Sequence, residues 1–87
     1  MARYMVFRTV GRLSEEEIEA ASLRSMEALE QMPDLRWIRS YYSAEEGKIY
    51  CEYEAPSAEA ILNHAQKADI PFDHAEIVRE LEPGMFR

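Results

Sequence analysis

The sequence predicts an α+β domain with the ferredoxin-like order β-α-β-β-α-β. Short segments rich in aromatic and β-branched residues alternate in that order with two segments of helical periodicity. A serine suited to N-capping precedes each helical segment, and a turn at residues 44–47 joins the second and third strands as a hairpin. Because β-α-β connections are right-handed, both helices should cover one face of a four-stranded antiparallel sheet.

The first half of the chain predicts one strand and one helix. Residues 3–10 form the strand, and Gly11 ends it. Ser14 and Glu17 form a capping box, in which each side chain can bond to the backbone at the other residue. The apolar and small residues that share the inner side of this helix are Ile18, Ala21, Ser22, Ser25, Leu29 and Met32.

The second half predicts three strands and one helix. Strands are expected at residues 35–43, 48–54 and 75–82, with Gly47 in the hairpin turn. The middle strand alternates Ile49, Cys51 and Tyr53 on one face with Tyr50, Glu52 and Glu54 on the other. Ser57 begins the second helix, which residues 69–71 end. Its inner side carries Ile61, Leu62, Ala65 and Ala68.

Size and charge limit the class of protein. The 87 residues predict a single domain, residues 1–87, and 47% hydrophobic with 31% charged residues is a globular balance. A net charge of −7 disfavours nucleic acid and anionic membrane surfaces as partners. The lone Cys51 suits a reducing compartment, and no secretory signal or membrane span is recognisable. We therefore expect a cytoplasmic protein.

The sheet face without helices predicts a homodimer. The first two strands carry apolar residues on both of their faces. In the first strand Met5 and Phe7 share one face and Tyr4 and Val6 the other. In the second strand Trp37 and Tyr41 share one face and Ile38 and Tyr42 the other. A sheet face exposed to water normally shows polar alternation. A large uncovered aromatic face is unusual for a monomer. We expect two copies to pack sheet against sheet, although single surface aromatics are an alternative explanation.

Two histidines are the candidate metal ligands. His64 lies on the second helix and His74 just before the last strand, and a short loop between these elements could bring the imidazoles together. Carboxylates at Asp69, Asp73 and Glu76 could complete nitrogen–oxygen ligation of a divalent ion. The spacing matches no metal motif, so two surface histidines without a ligand are the alternative.

Other chemistry has less support. Cys51, in the middle of an apolar strand face, is expected to pack in the core. Arg8, Arg39, Tyr50 and Glu52 are expected to converge on the second sheet face as cross-strand pairs. The glycines are Gly11, Gly47 and Gly84, which excludes a dinucleotide fingerprint and a P-loop. The third strand also lacks the aromatic motif of RNA-binding domains of this topology.

Four stretches together resemble a family of small bacterial domains that includes a nickel-binding, nickel-responsive protein. They are residues 3–6, 47–51, 54–61 and 64–68, and the resemblance extends over nearly the whole chain. It implies a ferredoxin-like fold, a homodimer and nickel or another divalent metal as the ligand. Metal-binding members have further histidines, whereas this chain has none before His64. The resemblance therefore carries over only His64 as a metal ligand, with His74 and Cys51 as unmatched candidates.

Three functions follow from these observations. The first is a small dimeric binding protein for a transition metal such as nickel. The second is a small-molecule carrier or cofactor-independent enzyme of the dimeric α/β-barrel type, with the aromatic residues lining an apolar cleft. The third is an interaction module without chemistry of its own. The sequence favours them in that order and identifies no catalytic residue.

Overall fold

The computed structural model describes residues 1–87 and has the predicted element order. Four strands and two α-helices are followed by a short 3-10 helix at Pro83–Phe86. In chain order the elements are β1 (Ala2–Thr9), α1 (Glu15–Leu29), β2 (Arg36–Ser43), β3 (Lys48–Ala55), α2 (Ala58–Ala68) and β4 (His74–Val78). The chain is therefore an α+β domain of ferredoxin-like topology.

The sheet is antiparallel, with the strand order β2-β3-β1-β4. β1 lies at its centre and pairs with β3 along its full length, from Ala2 opposite Ala55 to Thr9 opposite Lys48. β4 pairs with β1 from Phe7 opposite His74 to Arg3 opposite Val78. This register places Val6, Arg8, Cys51 and Tyr53 on the face that the helices cover.

The helix boundaries follow from the capping residues. Ser14 Oγ accepts from the Glu17 amide and the Glu17 carboxylate accepts from the Ser14 amide, which is the predicted capping box. Ser57 Oγ accepts from the Ala60 amide and begins α2 in the same way. Asp69 ends α2 in the left-handed conformation, with φ of 55°. Each cap thus gives a partner to backbone groups that a helix end otherwise leaves unpaired.

The core lies between α2 and the sheet. It comprises Val6, Leu35, Cys51, Tyr53, Ala55 and Ile61. The alternation predicted for β3 is confirmed, because Cys51 and Tyr53 are buried while Glu52 and Glu54 lie on the other face. Leu23 on the outer side of α1 is 61% exposed. No helix combines the length and the apolar character that crossing a lipid bilayer requires.

Two predicted features of the strands are wrong. β4 ends at Val78 rather than at residue 82, because its only neighbour, β1, has almost no residues left to pair beyond Arg3. In β2 the register shifts between Trp37 and Arg39. The extra residue reverses the alternation, so that Trp37 and Tyr42 lie on the same side of the sheet instead of on opposite sides.

The open face of the sheet is the face without helices, and it combines apolar and charged side chains. Phe7 and Tyr50 contact edge to face, with ring centroids 5.8 Å apart, and Tyr41 is 56% exposed. Beside them, Glu52 forms ion pairs with Arg3 at 2.6 Å and Arg39 at 3.5 Å. The predicted cross-strand pairing of Arg39 with Glu52 is present. Arg8, however, lies on the opposite, helix-covered face.

Candidate functional site

A cleft of about 490 Å³ opens between α1 and the sheet. The sheet side of the cleft includes Arg8, Trp37, Tyr42, Cys51 and Tyr53. The helix side consists mainly of small residues, among them Ala20, Ala21, Ser22 and Ser25. Small side chains on the inner side of α1 leave the space between helix and sheet unfilled, unlike the close-packed core under α2. The cleft therefore follows from the composition of α1.

Arg8 lies at the sheet side of this cleft and is 2% exposed. Its guanidinium donates from Nη1 to the Pro71 carbonyl at 2.6 Å, from Nη2 to Tyr53 Oη at 3.3 Å and from Nε to Cys51 Sγ at 3.5 Å. None of the three acceptors is a carboxylate, and no carboxylate oxygen lies within 4.0 Å of the guanidinium. A buried arginine normally has a charged partner.

Tyr53 supplies a buried hydroxyl beside this arginine and is 1% exposed. Burial raises the pKa of Tyr53, and the nearby Cys51 raises it further, whereas the Arg8 guanidinium opposes the rise. The phenol is therefore uncharged at neutral pH and acts as a hydrogen-bonding group. Its ring also contacts the His64 ring edge to face, with centroids 5.7 Å apart.

His64 is fully buried between the two helices. Its Nε2 lies 3.2 Å from both the backbone oxygen and Oγ of Ser25 on α1. A carbonyl oxygen only accepts, so Nε2 carries the proton and the lone pair of Nδ1 is left without a partner. Burial lowers the pKa of His64; the Ser25 carbonyl raises it, and the positive charge of Arg8 lowers it further.

His74 lies on the open face, on the other side of the sheet from His64 and Cys51. Its ring stacks on Phe7 with centroids 4.5 Å apart, and its Nε2 lies 3.9 Å from Glu76 Oε1. The sheet thus separates His74 from the other two predicted ligands. A one-residue difference in strand register would have reversed this outcome, and the sequence did not determine it.

One chain does not hold a complete set of metal ligands. No three side chains of His, Cys, Asp or Glu lie close enough together to bind one ion. His64 Nδ1 is a free nitrogen donor but has no such neighbours, and Cys51 Sγ already accepts from Arg8. His74 with Glu76 is a nitrogen–oxygen pair of a type that suits nickel, although it is incomplete by itself. These residues fit a metal only if a second copy adds donors.

A comparison with models of known protein families shows to which family the chain belongs. The model of the nickel-responsive protein SCO4226-like family matches residues 4–78. The chain belongs to this family. A solved structure, that of SCO4226 from Streptomyces coelicolor A3(2), shares the fold with a TM-score of 0.80 at 23% sequence identity. That match covers 93% of this chain and 100% of the other. None of the curated proteins compared with the chain matches it.

Sequence reasoning identified the family correctly but missed the environment of Arg8. A usable signal was present, because Tyr4, Val6 and Arg8 share one alternation of β1. Since Val6 belongs to the core, Arg8 had to lie on the helix side as well. The small residues of α1 were also visible in the sequence, but the volume that they leave open depends on the tertiary packing.

Proposed function

We propose that this protein is a small cytoplasmic binding protein that takes up a transition metal, nickel in the first place, as a homodimer. The observation that supports the metal is membership of a nickel-responsive family over residues 4–78. Imidazole is a favoured ligand of Ni²⁺, and the two histidines of the chain provide it.

In this proposal the open face brings two copies together and pools their donors. Met5, Phe7, Tyr41 and Tyr50 give this face apolar surface that a second copy would cover. Both His74 and Glu76 belong to strand β4 and stand on the same face. Two copies would contribute two imidazoles and two carboxylates, which is a sufficient number of ligands for one ion. His64 and Cys51 remain candidates for a separate, buried ligand role.

Calorimetric titration of the protein, produced without a histidine tag, with Ni²⁺ tests this function. We expect a Kd for Ni²⁺ below about 1 mM. The affinity should fall at least tenfold in His74→Ala and by a smaller factor in the matched surface variant Asn63→Ala. Absence of binding in the unmodified protein would overturn the proposal. Undiminished binding in His74→Ala would remove His74 as a ligand, and His64→Gln then tests the buried alternative.

The cleft favours a second candidate function, that of a small-molecule carrier. Its volume of about 490 Å³ exceeds the lower end of about 300 Å³ typical of ligand sites. Its surface is mostly apolar and includes Trp37 and Tyr42, with a few polar groups at fixed positions. Metal uptake and a bound small molecule use opposite faces of the sheet in this account, so neither excludes the other.

A further inference from the structure

We infer that the cleft between α1 and the sheet binds a small amphipathic carboxylate, with Arg8 as the group that recognises its negative charge. The inference deepens the carrier function proposed above and depends on it. It names the chemical class of the ligand: an organic acid whose apolar body occupies the cleft and whose carboxylate meets the guanidinium.

Arg8 carries a buried positive charge without a counter-ion. The side chain is 2% exposed and has no carboxylate partner in the chain, although seventeen acidic residues are present. An unpaired buried charge costs free energy, and folding alone would be served as well by an apolar residue. The three hydrogen bonds of Arg8 fix the guanidinium in place and leave further N–H donors without a protein acceptor. Such donors suit a planar carboxylate.

The remaining charged groups of the cleft do not cancel this preference. Arg24 also lies at the cleft, and its guanidinium donates to the carbonyls of Ala68 and Asp69 rather than to a carboxylate. Glu17 is the one acidic side chain at the cleft, and its carboxylate accepts from the Ser14 amide in the capping box. Two arginines and one glutamate leave the cleft positive in a protein whose net charge is −7.

The body of the ligand follows from the rest of the cleft. Val10, Leu13, Ile18, Ile49 and Ile70 border it together with the ring of Trp37. These side chains match an aliphatic or aromatic body and offer it few polar partners. Because Tyr53 and Cys51 lie directly beside the guanidinium, the polar end of the ligand would sit at the sheet, with its body directed along α1.

Decanoate and the uncharged decanol are a suitable probe pair, because they differ at the head group only. Trp37 is the only tryptophan and borders the cleft, so its fluorescence reports occupancy. We expect decanoate to bind about tenfold to a hundredfold more tightly than decanol, the range for a charge-assisted hydrogen bond. Arg8→Met should abolish this difference by weakening decanoate alone, and Arg8→Lys should retain part of it.

A second pair of variants tests the location without touching Arg8. Ala21→Phe fills the cleft from α1 and should weaken both probes, whereas Leu23→Phe adds the same ring on the exposed side and should weaken neither. Equal binding of decanol and decanoate would overturn the carboxylate inference and leave the carrier function standing. Binding of neither probe, or binding unaffected by Ala21→Phe, would overturn both.

Discussion

Arg8 Nε lies 3.5 Å from Cys51 Sγ, so that the one buried cation of the sheet faces a thiol where a carboxylate would be expected. The two residues belong to neighbouring antiparallel strands and to the same face. This contact joins the core to the cleft, because Cys51 is part of the core and both residues border the open space beneath α1.

Arg8 is expected to reduce the stability of the fold. Replacing it by methionine removes an unpaired buried charge and keeps an unbranched side chain of similar length, so the free energy of unfolding should rise by about 1 kcal/mol. Urea denaturation of the ligand-free protein measures this difference. A decrease of more than about 1 kcal/mol would show that the hydrogen bonds of Arg8 matter more to the fold than its charge costs.

His64 is expected to make stability depend on pH. Burial lowers the pKa of its imidazole below the ordinary value of 6.5, so the unfolded chain binds a proton more readily than the folded chain. This contribution to stability is complete above pH 6.5 and is lost as the pH falls through the lower folded-state pKa. The free energy of unfolding should therefore be lower at about pH 5 than at about pH 8.

Two glutamine variants separate this contribution from other groups. His64→Gln should reduce the difference between the two pH values, whereas Asn63→Gln, at an exposed residue that does not titrate, should leave it unchanged. The lowered pKa values of Glu17 and Asp73 contribute in the same direction but at more acidic pH, and they remain in both variants. An equal pH dependence in all three proteins would contradict the assignment to His64.

The three glycines of the chain should differ in their tolerance of alanine. Gly47 has φ of +67°, and a Cβ there would lie 3.0 Å from the Gly11 backbone. Gly11 has φ of +72° with open space around it, and Gly84 has neither constraint. Alanine should cost about 1 kcal/mol at Gly11 from the backbone conformation alone, clearly more at Gly47, and little at Gly84. Thermal or urea denaturation ranks the three variants, and another order would contradict this reading of the hairpin.

The local chemistry of the sequence was sufficient to predict the fold. Ser14 with Glu17, Ser57, and the alternation of β3 each act within a few residues, so the element order could be read from the chain. The face of the sheet on which each residue of β2 lies could not be predicted, because the register shift between Trp37 and Arg39 becomes visible only when the strand is paired with β3.

The site was predictable only in part, because it depends on which face each side chain occupies. Cys51 was expected in the core and is buried there, whereas His64, expected as a metal ligand or a surface histidine, is fully buried. His74 could not be placed, since its face depends on pairing with Phe7 across β1 and β4. The open space beneath α1 requires small residues on the helix, which the sequence shows, and a particular distance between helix and sheet, which it does not.

The mass of the native particle in the presence of Ni²⁺ tests the central claim most directly. Native mass spectrometry of the untagged protein reports oligomeric state and bound metal in one spectrum. We expect a particle of two 10.1 kDa chains that carries nickel, and loss of the metal from that particle in His74→Ala. A single 10.1 kDa chain without metal, at micromolar protein and excess Ni²⁺, would contradict it.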